Sequence, residues 1–135
     1  MERTVLDTSV LVSGFRSRRG PAYRVLSLVG TGRFEIAVSV ALVLEYEEVL
    51  SRRTQLGEEQ IEKVVAYFCS VARLQKVFYL WRPTLRDPDD DMVLELAVAA
   101  RADSIVTFNR RDFAGADRHG IEILHPLGFL RSIGE

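Results

Sequence analysis

A three-layer α/β/α sandwich around a central parallel sheet of about four to five strands is the fold this sequence predicts. Two observations carry that expectation. Short apolar runs of strand character alternate with longer stretches of helical periodicity, the pattern of strands joined by crossover helices. The 135 residues, 47% hydrophobic and 27% charged, suit one globular domain over 1–135, with no repeat, linker or low-complexity tract to divide it.

In chain order, residues 3–8 read as a short buried strand, followed by an apolar turn or helical start from Ser9 to Phe15 and a basic loop from Arg16 to Pro21. Pro21 suits the first turn of a helix running to about Val29, where Gly30-Thr31-Gly32 stops it. Phe34–Ser39 is expected as a second strand and Val40–Arg52 as a helix ending in a polar break at Thr54–Gly57. Glu58–Arg73 is the clearest amphipathic helix, with Ile61, Val64, Val65, Phe68 and Ala72 at helical spacing. Val77–Leu80 is expected as a third strand, then an Asp-rich loop and a helix over Asp90–Ala102. Ser104–Thr107 and Ile121–Leu124 complete the sheet, and His125-Pro126 opens a short terminal helix.

Several function classes are disfavoured. No apolar run is long enough to span a bilayer, the opening residues are no signal peptide, and a cytoplasmic location is expected. A single cysteine, Cys69, excludes an intramolecular disulfide and a Cys-rich zinc site, and is expected as a small core residue of a helix. His119 and His125 lack metal-ligand spacing. The net charge of −1 gives no support to nonspecific nucleic-acid binding. Of the eighteen basic residues, however, only Lys63 and Lys76 are lysine. Arginine holds phosphate through a planar fork, although a GC-rich genome produces the same bias.

The acidic residues are more telling. Asp7 ends the first apolar run, and Asp87-Pro88-Asp89-Asp90-Asp91 opens an apolar helix. A carboxylate at the end of a buried strand gains nothing in packing and resists desolvation. Ligands of parallel sheets bind beyond the carboxyl ends of the strands. Asp7 follows the first strand, Asn109 and Asp112 follow the fourth, and Glu45 follows Ala41-Leu42-Val43-Leu44 as a semi-buried acid. Asp91 and Glu95 are four apart on one helix face, while Asp89 and Asp90 read as loop solvators or helix caps. Such carboxylates become tolerable when they converge on Mg²⁺ or Mn²⁺, pointing to a metal-dependent phosphodiester hydrolase. Thr8, Ser9 and Thr107 either support a carboxylate or simply finish their strands.

Four segments together resemble a known family: Val5-Leu6-Asp7-Thr8-Ser9, Ser39 with Leu44-Glu45-Tyr46-Glu47-Glu48, Asp90-Asp91-Met92-Val93-Leu94-Glu95, and Val106-Thr107-Phe108-Asn109-Arg110-Arg111-Asp112-Phe113. Their order and spacing resemble the PilT N-terminal (PIN) domain, especially the single-domain VapC-like toxin ribonucleases. The resemblance implies an acidic Mg²⁺ or Mn²⁺ pocket in which the first three acids map to Asp7, Glu45 and Asp91. The fourth maps to Asp112, with Asn109 where many members carry Asp; an amide oxygen can ligate a cation but adds no charge. Thr8, Ser9, Thr107 and Asn109 are then supporting residues, and Glu95 would hold a water or a second ion. RNA would arrive over Arg16, Arg18 and Arg19 on one side and Arg110 and Arg111 on the other. The resemblance also implies a homodimer or higher homo-oligomer and a cognate antitoxin protein.

Three rival readings stand beside this one. A receiver domain needs a phosphoacceptor Asp after its third strand and a lysine after its fifth, and the sequence has neither. A binding module on the same fold, weakened by Asn109, and a housekeeping RNA-processing nuclease fit the residues too.

Overall fold

The computed structural model describes residues 1–78 and 88–135. Strands β1 (Arg3–Leu6), β2 (Glu35–Val38), β3 (Arg73–Leu74), β4 (Ser104–Val106) and β5 (Glu122–Leu124) form one sheet in the order β3-β2-β1-β4-β5. Every pairing is parallel; Thr4 lies opposite Ile36 on one side and Ser104 on the other. The central strands are apolar on both faces, as Val5, Leu6, Ile36, Val38, Ile105 and Val106 are all buried. That continuous pattern belongs to strands covered on both sides.

The helices are α1 (Thr8–Arg16), α2 (Pro21–Leu28), α3 (Val40–Arg53), α4 (Glu58–Val71), α5 (Pro88–Ala99) and α6 (Pro126–Ser132). From β1 the chain steps outward to β2 and β3, then returns through α5 to β4 on the other side. Right-handed crossovers in opposite directions place α5 on the face opposite α1–α4. The packing agrees: α1 touches both α2 and α3, and α3 touches α4, while α5 lies across β1, β2 and β4. Gly14 permits the close approach of α1 to α2, since a Cβ there would collide with the Leu26 side chain.

Three expectations need correction. The strand expected at 77–80 lies earlier, at Arg73–Leu74, and Val77 and Phe78 are in no strand. Gln75 donates its N–H to the carbonyl of Val38, the last residue of β2, so the partner strand has run out before Val77 is reached. Tyr79, Leu80 and Asp87 lie outside the described residues, as does the side chain of Asp89. Helix α5 starts two residues earlier than expected, with Pro88 tolerated in a first turn that needs no N–H from it. It also stops earlier: Arg101 adopts a left-handed φ of 54°, and Ala102 N–H closes the turn on the Ala97 carbonyl. Finally, the segment after β4 coils into two 3-10 turns, Arg110–Phe113 and Ala116–His119, which no periodicity signals.

Candidate functional site

Asp7 occupies the point where the chain leaves β1 and enters α1. Neighbouring strands β2 and β4 are reached in opposite directions from β1, so this is the switch point at which parallel sheets bind ligands. Asp7 is the N-cap of α1 by backbone geometry, yet its side chain makes no capping bond. Instead Oδ2 accepts from Ser9 Oγ at 2.8 Å and from Thr107 Oγ1 at 2.7 Å. The two hydroxyls accept in turn from the backbone N–H groups of Phe108 and Asn109. One buried carboxylate thus fixes the loop after β4, and that loop carries Asn109 and Asp112.

A cavity of about 180 Å³ opens beside Asp7. Its walls are Asp7 and Thr8 from the first crossover, Glu45 from α3, Asp90, Met92 and Val93 from α5, and Asn109 and Asp112 from the loop after β4. Four carboxylates and one amide therefore share a small space, with no basic side chain among its described lining residues. Among the described residues, no group of three or more His, Cys, Asp or Glu side chains is arranged to hold a metal ion as it stands. The donor set is nonetheless all oxygen and strongly anionic, the chemistry that suits a hard divalent cation.

Most of the acids singled out in the sequence meet here: Asp7, Glu45 and Asp112 do, with Asn109 beside them. Asp91 is not in the lining; its neighbour Asp90, read from the sequence as a loop solvator or cap, is. Helical register does not separate the two: Asp90 shares its face with Val93 and Leu94 and Asp91 with Leu94 and Glu95, all buried, so no sequence signal selects Asp90. Glu95 is itself buried, with Oε2 lacking a hydrogen-bond partner among the described residues. Burial, and then the charge of Asp91, raise its pKa from the ordinary carboxyl value.

Beneath the cavity, Tyr46 anchors the strand end. Its hydroxyl donates to the Leu6 carbonyl at 2.5 Å, and its ring packs edge-on against Phe68 of α4. Burial and the nearby Asp7 charge push the phenol well above its usual pKa, so it remains a donor. The sequence gives no local sign of this role, since Tyr46 lies among acids in Glu45-Tyr46-Glu47-Glu48. Cys69 is half-buried, and His125 caps α6 through Nδ1 and meets Phe108 edge-on.

The expected arginines divide. Arg110 and Arg111 line an open groove of about 680 Å³ with Phe108, Asn109, Asp112 and Ile123. Arg16 lines a second groove of about 480 Å³ that shares Thr8 and Asn109 with the acidic cavity. Arg18 and Arg19 are exposed and line neither. A larger apolar groove, lined by Val38, Val40, Leu44, Leu74 and Phe78, contains no acid or histidine in its described lining.

Fold and site together define a parallel α/β domain with a carboxylate-lined pocket at its switch point. The PIN domain model matches residues 3–111, and the chain belongs to the PIN domain family. In fold it is similar to VapBC2 from Rickettsia felis, whose structure was solved bound to a DNA fragment from its promoter, with a TM-score of 0.61. That match has 18% sequence identity and covers 91% of this chain and 98% of the other. No curated protein matches the chain. No helix among the described residues is long and apolar enough to cross a membrane.

Proposed function

We propose that this protein is a divalent-metal-dependent endoribonuclease, the toxin-like member of a toxin–antitoxin pair. The observation that carries the reading is the convergence of Asp7, Glu45, Asp90 and Asp112 on one small cavity at the switch point. These four carboxylates would hold Mg²⁺ or Mn²⁺, with the Asn109 amide oxygen as a neutral fifth donor. When bound, the cation supplies an acidified water and a positive clamp for the scissile phosphate.

The chain's own contributions follow from its contacts. Ser9 and Thr107 orient the Asp7 carboxylate, so its position is set before any ligand arrives. Arg110 and Arg111 in one groove and Arg16 in the other flank the acids and attract the phosphates on either side. Glu95, buried with one oxygen unpartnered among the described residues, would hold a water. The third acid is assigned to Asp90 in place of Asp91 because only Asp90 lines the cavity.

A protein partner, self-association and a cytoplasmic location belong to the same reading. They rest on the VapC-like resemblance and on the similarity in fold to VapBC2. A weakened binding module on this fold is the second reading, favoured by Asn109, which adds no charge to the lining.

The deciding experiment is cleavage of structured and single-stranded RNAs with Mn²⁺, with Mg²⁺ and with excess EDTA, beside Asp7→Asn. Cutting that needs the metal and vanishes in the variant is the expected result. Absence of both cleavage and cation binding would favour the binding module.

A further inference from the structure

Three features of the surface beside the acidic cavity form one line. Helix α1 presents Thr8–Val12–Arg16 and Ser9–Ser13 at four-residue spacing, with Ser17 just past its end, and all six residues line the second groove. Facing them, α3 presents Glu45–Val49–Arg53 at the same spacing, with Glu45 in the acidic cavity and Val49 and Arg53 in the groove. Both helices therefore pass from acid or hydroxyl groups at the cavity to arginine at the far end. Beyond that end, Arg16 and Arg53 line a further pocket of about 390 Å³ with Arg52, Phe15, Thr54 and Gln55.

We infer that the cleft between α1 and α3 is a subsite for the sugar–phosphate backbone of a single RNA strand. Ser13, Ser17, Arg16, Arg52 and Arg53 hold it as it leaves the acidic cavity. The inference rests on the nuclease reading above and adds to it the path of the substrate.

The chemistry of the lining selects this occupant. Serine hydroxyls and arginine forks are donors suited to phosphate oxygens, and such contacts position a strand without reading its bases. The column from Thr8 to Arg16 extends about 12 Å at the rise of an α-helix, so the path reaches past the scissile phosphate. Arginines in a last helical turn also favour the helix dipole, but that effect gives no reason for a facing column of hydroxyls. Arg52 pairs with Glu48 at 3.4 Å with both side chains more than half exposed, a weak tie that a phosphate can displace. Asn109 borders the cavity and the grooves on both sides, so one strand can pass from Arg110 and Arg111 over the acids and into the cleft.

The test uses the full chain carrying Asp7→Asn, so that bound RNA survives, and fluorescence anisotropy with single-stranded oligoribonucleotides of increasing length. Affinity should rise with length. Adding Arg16→Gln and Arg53→Gln should remove most of that gain and flatten the plot of log K against log salt by about 0.7 per lost phosphate contact. Arg16→Lys with Arg53→Lys should restore part of the slope, and Arg118→Gln, at an exposed position in a 3-10 turn, should leave binding unchanged. Circular dichroism melting confirms that each variant is folded.

Unchanged length gain and slope in the glutamine variants would overturn the cleft, while metal-dependent cleavage by the unsubstituted protein left the nuclease reading standing. If polyglutamate displaced the strand as well as an RNA of equal charge did, the cleft would be an acidic-peptide site and the inference would fall. Absence of RNA binding at every length would overturn it as well, and loss of metal-dependent cleavage would show that the nuclease reading had failed with it.

Discussion

Thr107 Oγ1 donates to Asp7 Oδ2 at 2.7 Å, joining residues one hundred positions apart at the ends of adjacent strands β1 and β4. Both residues are buried, and the same hydroxyl accepts from Asn109 N–H. The bond therefore couples the orientation of one site acid to the backbone that carries Asn109 and Asp112.

Thr107→Val keeps the side-chain volume and removes both interactions. Leaving buried polar groups unpaired should lower stability by about 1–3 kcal/mol. Loss of a group that orients a ligand should reduce cation affinity or RNA cleavage by about 10–100-fold. Urea melts and cleavage rates of the folded variant measure the two effects separately. Unaltered cleavage would mean that Asp7 holds its place without this hydroxyl.

The assignment of the third acid separates two adjacent residues. Asp90→Asn should reduce cleavage by about a hundredfold or more, the scale of losing a group directed at the transition state. Asp91→Asn should cost far less. Thermal shift with Mn²⁺ gives a readout independent of turnover: a cation at one hundred times its Kd adds about 2.7 kcal/mol of stability. That gain should persist in Asp91→Asn and shrink in Asp90→Asn. The opposite ranking would return the role to Asp91.

Glu95 makes stability depend on pH. Because its folded pKa is raised, the folded chain holds this proton more tightly than the unfolded chain does. Stability is therefore fully present below the unfolded carboxyl pKa and falls as pH rises through the raised folded value, then levels off. Glu95→Met should flatten that fall and stabilise the protein at neutral pH by about 1–3 kcal/mol, since no buried acceptor is left unpaired. Urea denaturation at mildly acidic and neutral pH tests this. A methionine variant less stable than the parent at neutral pH would show that Glu95 is satisfied in solution.

Tyr46→Phe removes the donor to the Leu6 carbonyl without opening a cavity. The expected loss is about 1–3 kcal/mol, the cost of one unsatisfied buried acceptor. It should be the same from mildly acidic to mildly alkaline pH, because the buried phenol, with its raised pKa, stays protonated throughout. Calorimetric melts across that range provide the measurement, and a strongly pH-dependent loss would contradict it.

The sequence by itself determined the parallel α/β class, because strands buried on both faces must be apolar throughout and their crossovers show helical periodicity. It also marked Asp7 and Glu45, acids beside apolar runs where packing gives them no reason to be, while Asp112 was marked only by the resemblance to the family. Tertiary structure decided the rest. β3 was misplaced because its position depends on where β2 stops offering partners, and no local propensity encodes that. Which of Asp90 and Asp91 lines the cavity was likewise left to packing, because adjacent helical residues point about 100° apart. Tyr46, the Thr107–Asp7 bond and the arginines of α3 became visible only once distant segments were side by side. A hydrogen bond across a hundred residues leaves no periodic trace in the chain that forms it.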